Sequence, residues 1–439
     1  MSVHLARGTR DFLPEQAAAR HRVLRQLRSV FARHGFEPLE TPAVERIETL
    51  TSKYGEEGGK LMYRILKRGA GSERGECDLA LRYDLTVPLA RVVAMNPGMR
   101  LPFKRWQAAP VWRAERPAAG RYREFWQCDC DIVGSADALA DAQCVAVAVD
   151  ALRTLGFQQF TVRLNDRRLL RAIARRAGAG PDREVPLLVA IDKLDKLGRD
   201  GVDAELDRHG FDAASRAAAW EVLSLTGPAD EMLCALHAKL EGPDVGAAVD
   251  DLRQVMVLSE ALGVPPGTLQ IDPTLARGLD YYTGPVFEVA VEQPKVGALA
   301  GGGRYDDLIG VFGKKSIPAV GVALGLERIL LVMEALGMGN SERAGAEVMV
   351  AVYGPTLRGQ AAAVAQSLRT SGRRVDLYIG EGSMKSQFKY ANAKGISVVA
   401  LIGPDEAEAG TVVLRDMEAG EQRTVPVADA ADAVAAMLS

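Results

Sequence analysis

Cysteine is scarce in this chain of 439 residues: there are five, an odd number, with no C-x-x-C pair. That argues against a disulfide framework and a zinc knuckle, and Cys128-x-Cys130 falls at strand spacing, which places both thiols on one packed face. A long apolar run is also missing. No stretch approaches the ~20 residues that span a bilayer, and Met1 to Asp11 carries no signal-peptide h-region. The expectation is a cytoplasmic protein with no membrane partner. Neither sign of charge is in excess, since 54 Lys and Arg stand against 57 Asp and Glu for a net charge of −3. Whole-chain basicity is therefore excluded, but a polyanion needs only a local basic patch, so nucleic acid stays open as a partner. Internal repeats, low-complexity runs and a dedicated cage of metal ligands are absent too. What remains is ordinary globular material, 48% hydrophobic and 25% charged, with length for two or three domains.

The most informative stretch is Arg113 to Asp131. Arg113, Arg116, Arg121 and Arg123 surround Pro117 and Gly120, which break any regular element. The following run, Glu124 to Val133, alternates with period two. Phe125, Gln127, Asp129 and Asp131 share one face, and Trp126, Cys128, Cys130 and Ile132 the other. The preceding run, Phe103 to Arg113, carries Phe103, Arg105, Gln107, Val111 and Arg113 on a single face. Paired as an antiparallel hairpin, the two runs present guanidinium at the rim and carboxylate inside. Such a surface suits a ligand that is anionic at one end and cationic or hydrogen-bond-donating at the other. The competing reading is a salt-bridged hairpin at a solvated edge, which fits Gln127 and Asp131 less well because they share their strand with aromatics and cysteines.

Elsewhere, Glu15 to His34 reads as a helix with an apolar stripe of Val23, Leu27, Val30 and Phe31, followed by a strand over Phe36 to Val44 interrupted by prolines. Leu79 to Leu89 reads as a strand turning into a helix, Ala136 to Leu155 as a helix, and Phe160 to Leu164 as a strand. Residues 165–263 are mostly helical in pattern, with Ile191 to Leu197 placed on one helix. Strands are expected over Thr268 to Ile271, Val286 to Val291 and Ala319 to Leu324, the last leading into a helix over Leu326 to Leu336. After Gly337 to Ser341 strands and helices alternate, which argues for a small α/β domain with a largely parallel sheet.

The Arg113–Asp131 segment resembles the second signature motif of class II aminoacyl-tRNA synthetases, in the form found in histidyl-tRNA synthetases. Leu275 to Gly284 is similar to that family's histidine-specific peptide, and Ala300 to Asp306 to its glycine-rich companion. The three segments stand in the family's order, and the resemblance runs along nearly the whole chain. It implies an α+β fold: an antiparallel-sheet catalytic domain over residues 1–336 with a helical insertion at about 165–263, a linker at 337–344, and an α/β anticodon-binding domain over 345–439. It also implies a homodimer, whose interface would use the first helix–strand–proline unit.

The reaction implied is activation of L-histidine by ATP and transfer to the 3′ end of tRNA(His). On the resemblance, Arg113 and Arg277 are the catalytic residues, with the α-phosphate and the amino-acid carboxylate between them. Glu115 and Phe125 hold adenine. Arg328, near a helix start where phosphate is favoured, meets the ATP tail, which would carry Mg²⁺ held by phosphate and water. Asp84, Leu85, Thr86 and Gln127 belong to the histidine site, the α-ammonium falling to Asp84, Thr86 and Gln127. Asp131 and Tyr282 fix the imidazole, and Tyr281 lines the pocket. Gly301, Gly302 and Gly303 let backbone approach the ligand closely; Asp307 stands where a further glycine is common. In the C-terminal part, Lys385 and Lys389, one helical turn apart, lie in a segment similar to the anticodon-binding domain. Three alternatives stay open: an inactive regulatory subunit of the synthetase type, a tRNA-sensing module without catalysis, and a synthetase for another amino acid.

Overall fold

The computed structural model describes residues 3–51, 59, 61–276, 281–313, 315–338 and 344–438. By compactness the chain divides into two units, Met1–Arg10 with Arg20–Gly339 and Asp11–Ala19 with Asn340–Ser439. Part of the expected linker, residues 339–343, lies outside the described residues.

The larger unit is built on an eight-stranded sheet. In chain order its elements are α1 (Pro14–Arg33, which belongs to this unit from Arg20 on), β1 (Glu37–Pro38), β2 (Val44–Arg46), β3 (Arg64–Leu66), β4 (Cys77–Leu81), α2 (Thr86–Met95), β5 (Phe103–Trp112), β6 (Glu124–Val133), α3 (Ala138–Thr154) and β7 (Thr161–Asp166). Six helices follow: α4 (Arg167–Arg176), α5 (Pro181–Asp192), α6 (Leu194–Arg208), α7 (Ala213–Leu223), α8 (Ala229–Lys239) and α9 (Val245–Ala261). The unit closes with β8 (Leu269–Ile271), β9 (Pro285–Ala290), β10 (Ala300–Arg304), β11 (Ala319–Gly325) and α10 (Leu326–Ala335). The sheet runs β1-β5-β6-β11-β10-β9-β7-β8. Only the outer pairs, β1 with β5 and β7 with β8, are parallel; every inner pair is antiparallel.

Alternation decides which face of this sheet is dry. Cys128, Cys130 and Ile132 of β6 lie buried against α3 and against the α1 stripe of Val23, Leu27, Val30 and Phe31. Each such apolar side chain contributes about 1.5–3 kcal/mol on burial. The cysteines here are packing groups, all five being free thiols, and burial pushes the Cys130 and Cys144 thiols well up. The odd-numbered side chains of β6 point the other way, into the cleft described below.

Two elements differ from the expectation. The glycine-rich stretch, to which the sequence assigned no element, is a central strand, β10, hydrogen-bonded on both sides. Gly302 is forced there by contact: a Cβ would stand 1.9 Å from the Gly321 carbonyl oxygen. Ile191 to Leu197 does not lie on one helix. Lys193 ends α5 and starts α6, and Gly198, with φ of +66°, kinks the chain again. The small sheet β2-β4-β3 was expected only at β4, where the strand before α2 was read; β2 and β3, of three residues each, are too short to show a period.

The second unit carries a five-stranded sheet of order β13-β12-β14-β15-β16, made of β12 (Val348–Val352), β13 (Val375–Leu377), β14 (Val398–Ile402), β15 (Thr411–Asp416) and β16 (Gln422–Pro426). The β12, β13 and β14 strands are parallel, whereas β15 and β16 are antiparallel additions. Val348 and Val350 pack toward α11 (Arg358–Thr370) and α13 (Ala430–Leu438), and Met349 and Ala351 toward α12 (Met384–Ala393). Gln387 of α12 is buried and holds the strand by both amide atoms, donating to the Val352 carbonyl at 2.8 Å and accepting from its N–H at 2.9 Å.

Candidate active site

The larger unit contains a cleft of about 1220 Å³ over the β6–β11–β10 face. The β5–β6 hairpin forms as its alternation requires, with Arg105 opposite Asp131, Gln107 opposite Asp129 and Val111 opposite Phe125. Beyond the strands, Ala118 bridges Arg121, and Ala119-Gly120 makes the turn with Gly120 at φ +68°. Along β6 the cleft passes from half-buried Phe125 to buried Asp131, six residues or about 20 Å on.

Toward the hairpin turn, Arg113 donates from Nε to the Tyr83 carbonyl at 3.1 Å. Its guanidinium carbon lies 4.3 Å from the Tyr83 ring centroid and 5.2 Å from that of Phe125. Two rings thus fix the plane of the fork before any ligand arrives. Glu115 lines the same region, ion-paired with Arg121 at 3.1 Å. Arg328, on the first turn of α10, donates to the Ala298 carbonyl at 2.8 Å. The residue before it, Glu327, receives Arg20 Nη1 at 2.8 Å on one oxygen and the Trp126 N–H at 2.9 Å on the other. That carboxylate ties α10 to β6 and α1 and so sets where Arg328 stands.

At the deep end, Asp84 accepts from the Val87 N–H at 3.0 Å, which caps α2 and draws the carboxylate to a helix N-terminus. Thr86, the first residue of α2, lines the cleft with it. Leu85 does not: its side chain is fully buried, and its contribution is a carbonyl that accepts from Arg105 Nη2 at 3.1 Å. Gln127, Asp131, Tyr281 and Tyr282 all line the cleft. The Tyr281 and Tyr282 rings stand 4.8 Å apart, and Tyr281 meets Tyr305 edge-on at 5.8 Å.

Asp131 is held on two sides. The Tyr305 hydroxyl donates to Oδ1, and Arg105 Nη2 lies 2.8 Å from Oδ2 as an ion pair. Burial pushes the Asp131 carboxyl up, against the opposing pull of Arg105 and the Tyr305 hydroxyl. Burial alone would lower Arg105; the carboxylates of Asp131 and Asp129 outweigh it and hold the guanidinium firmly charged. A guanidinium therefore lies beneath the cleft floor as well as at the rim. The sequence reading placed it on the correct face but gave it no role, and it likewise assigned nothing to Tyr305, Asp129 or Glu327. Arg277 lies outside the described residues. The expected set is otherwise brought into one cleft, Leu85 excepted.

The far end of the cleft is walled by the turn between α5 and α6, through Ile191, Leu194, Asp195 and Lys196, together with Arg163 and Glu288. Arg163 is pinned there by Glu288 at 2.6 Å and Asp272 at 3.3 Å. Chemically the arrangement offers planar cations for phosphate or carboxylate oxygens, and buried carboxylates with phenols for a ligand that donates hydrogen bonds.

Known proteins resemble this chain in two stretches. Residues 8–329 match the family model described as histidyl-tRNA synthetase, and residues 347–437 match that of an anticodon binding domain. A histidine–tRNA ligase of Gloeobacter violaceus is 42% identical over 460 aligned positions, covering 98% of each chain. One of Aeropyrum pernix is 43% identical, again covering 98% of both. Among solved structures, the histidyl-tRNA synthetase of Nostoc sp. PCC 7120 superposes with a TM-score of 0.82 at 29% identity, covering 99% of each chain.

Proposed function

The chain belongs to the histidyl-tRNA synthetase family, and we propose that it joins histidine to the 3′ end of tRNA(His) in the cleft just described. It is an ATP-using ligase, forming first an aminoacyl adenylate and then the aminoacyl ester. In the first step the histidine carboxylate attacks the α-phosphorus and pyrophosphate leaves. In the second a terminal ribose hydroxyl of the tRNA attacks the carbonyl carbon and AMP leaves. Both steps gather negative charge on oxygens, so positioning and fixed cations carry the catalysis.

The observation that supports this reading is the sharing of one cleft by Arg113 and Arg328 with Asp84, Gln127 and Asp131. Arg113 and Arg277 take the α-phosphate and the amino-acid carboxylate. Arg328 takes the ATP tail, and Glu115 and Phe125 the adenine. Asp84, Thr86 and Gln127 receive the α-ammonium. Asp131 and Tyr282 define the ring, with Tyr281 as a wall. The guanidiniums of Arg113 and Arg328 suit phosphate oxygens, and Mg²⁺ would come with ATP, held mainly by phosphate and water, where it would offset phosphate charge. Residues 1–336 form the catalytic domain and 345–439 the anticodon-binding domain. The protein is a homodimer through its first helix–strand–proline unit, which light scattering would check. Among the described residues no helix is long and apolar enough to cross a membrane, in keeping with a cytoplasmic site of action.

The direct test is ATP–pyrophosphate exchange with each of the twenty amino acids in turn. Exchange driven by histidine alone is expected; exchange with another amino acid, or none from folded protein with Mg²⁺, overturns the reading. A second measurement probes the ring site. A Cβ at Gly321 would stand 2.0 Å from Asp131 Oδ1 and 2.6 Å from its Cγ. Gly321→Ala should displace Asp131 and raise KM for histidine by ~10-fold or more, at an overpacking cost of about 1–3 kcal/mol, with KM for ATP unchanged.

A further inference from the structure

One buried carboxylate of the cleft takes no part in the roles above. Asp129 lies on β6 between Gln127 and Asp131, is 1% exposed, and lines the cleft. Neither of its carboxylate oxygens has a hydrogen-bond partner among the described residues, and the same holds for the Gln127 side-chain oxygen one step along the same face. None of the described groups that face Asp129 hydrogen-bonds to it. Gln107, opposite it on β5, donates to Thr41 at 3.1 Å. Arg105 pairs with Asp131 and donates to the Leu85 carbonyl through Nη2 alone; its Nε and Nη1 make no hydrogen bond among the described residues, so it acts on Asp129 by charge only. On β11 the facing residue is Ala323, which has nothing to donate.

An orphaned buried carboxylate costs several kcal/mol unless a cation meets it. The deep end holds Asp84, Asp129 and Asp131 against Arg105 as its buried cation. Two idle acceptors on neighbouring same-face positions constrain what could satisfy them. An imidazole N–H is a single donor per nitrogen, whereas an ammonium carries three donors and a full positive charge.

We propose that Asp129 accepts a hydrogen bond from the α-ammonium of the amino-acid substrate, beside Gln127, and so selects ligands that carry a free amine. This rests on the histidine-activating function above and deepens it. The test uses the full-length protein and its Asp129→Asn variant, which keeps the shape and removes the charge. Three probes are compared in the exchange assay: histidine as substrate, and as inhibitors histidinol, which keeps amine and ring, and 3-(imidazol-4-yl)propionate, which lacks the amine. KM for histidine and Ki for histidinol should rise ~10- to 100-fold, as expected for a charge-assisted bond. Ki for the deaminated probe and KM for ATP should move by less than ~3-fold. Equal weakening of the deaminated probe would assign Asp129 to the ring or to the fold, and an unchanged histidinol Ki would place the amine elsewhere; either overturns the proposal. Asp129→Ser replaces the variant if asparagine prevents folding. Histidine-dependent exchange by the parent protein separates a failure here from a failure of the functional reading.

Discussion

Arg113→Ala is expected to lower histidine-dependent pyrophosphate exchange by about 10³-fold, the cost of removing one preorganised group that stabilises developing charge. The loss should appear in kcat, because the guanidinium acts on oxygens whose charge grows in the transition state. The structure makes a structural explanation of such a loss separable. Arg113 is part-buried, with one hydrogen bond to the Tyr83 carbonyl and two ring contacts, so its removal leaves no buried charge and should change stability little. Arg113→Lys keeps the charge but loses the planar fork, and should recover little of the activity. A decline under ten-fold in the alanine variant would mean that this guanidinium does not meet the reacting phosphorus.

The second large effect is on the fold. Arg105 is fully buried beneath the cleft floor and is the cation against which Asp131 and Asp129 are balanced. Arg105→Met conserves volume and strands both carboxylates, and should destabilise the larger unit by about 3–5 kcal/mol in paired chemical denaturation. The pH dependence carries the signature. Burial already raises both carboxyls in the folded state, so the folded protein binds protons more tightly than the unfolded chain there. Stability from such groups falls as pH climbs from the unfolded pKa toward the folded one. Removing the cation raises both folded values further. The deficit of the variant should therefore be smallest in acid, grow through and above the usual carboxylate range, and then level off. A deficit independent of pH would show that Arg105 acts by packing alone.

These two arginines also mark what the sequence discloses. Arg113 stands in a segment whose turn residues and period-two alternation announce a hairpin, and the hairpin forms in the expected register. Arg105 lies on the same face of the same pair, yet an arginine in an alternating strand reads equally well as a solvated edge. Its burial depends on Leu85, Asp131 and Tyr305, brought together by two crossings of the sheet. Asp129 was legible as a face-mate of Gln127 and Asp131 but not as an orphan, because lacking a partner is a property of every neighbour at once. The glycine run was legible as a place of close approach. That it is a strand follows only from its neighbours β9 and β11, which supply the hydrogen bonds that a sequence without side chains cannot advertise. The helical insertion was plain from composition, whereas the break at Lys193 carries no glycine or proline to signal it.

The glycines of β10 and β11 have a consequence for how substrate choice could change. Under Asp131 the floor includes Gly301, Gly302 and Gly321, with backbone or carboxylate within 3 Å of a Cβ at the last two. The hollow is carved by omission, and omission is hard to tune: a Cβ at Gly302 meets backbone, and one at Gly321 displaces the carboxylate that defines the site. Drift toward a different amino acid must then come from the walls, through residues such as Gln127, Asp129 and the tyrosines, while the ground beneath them stays bare.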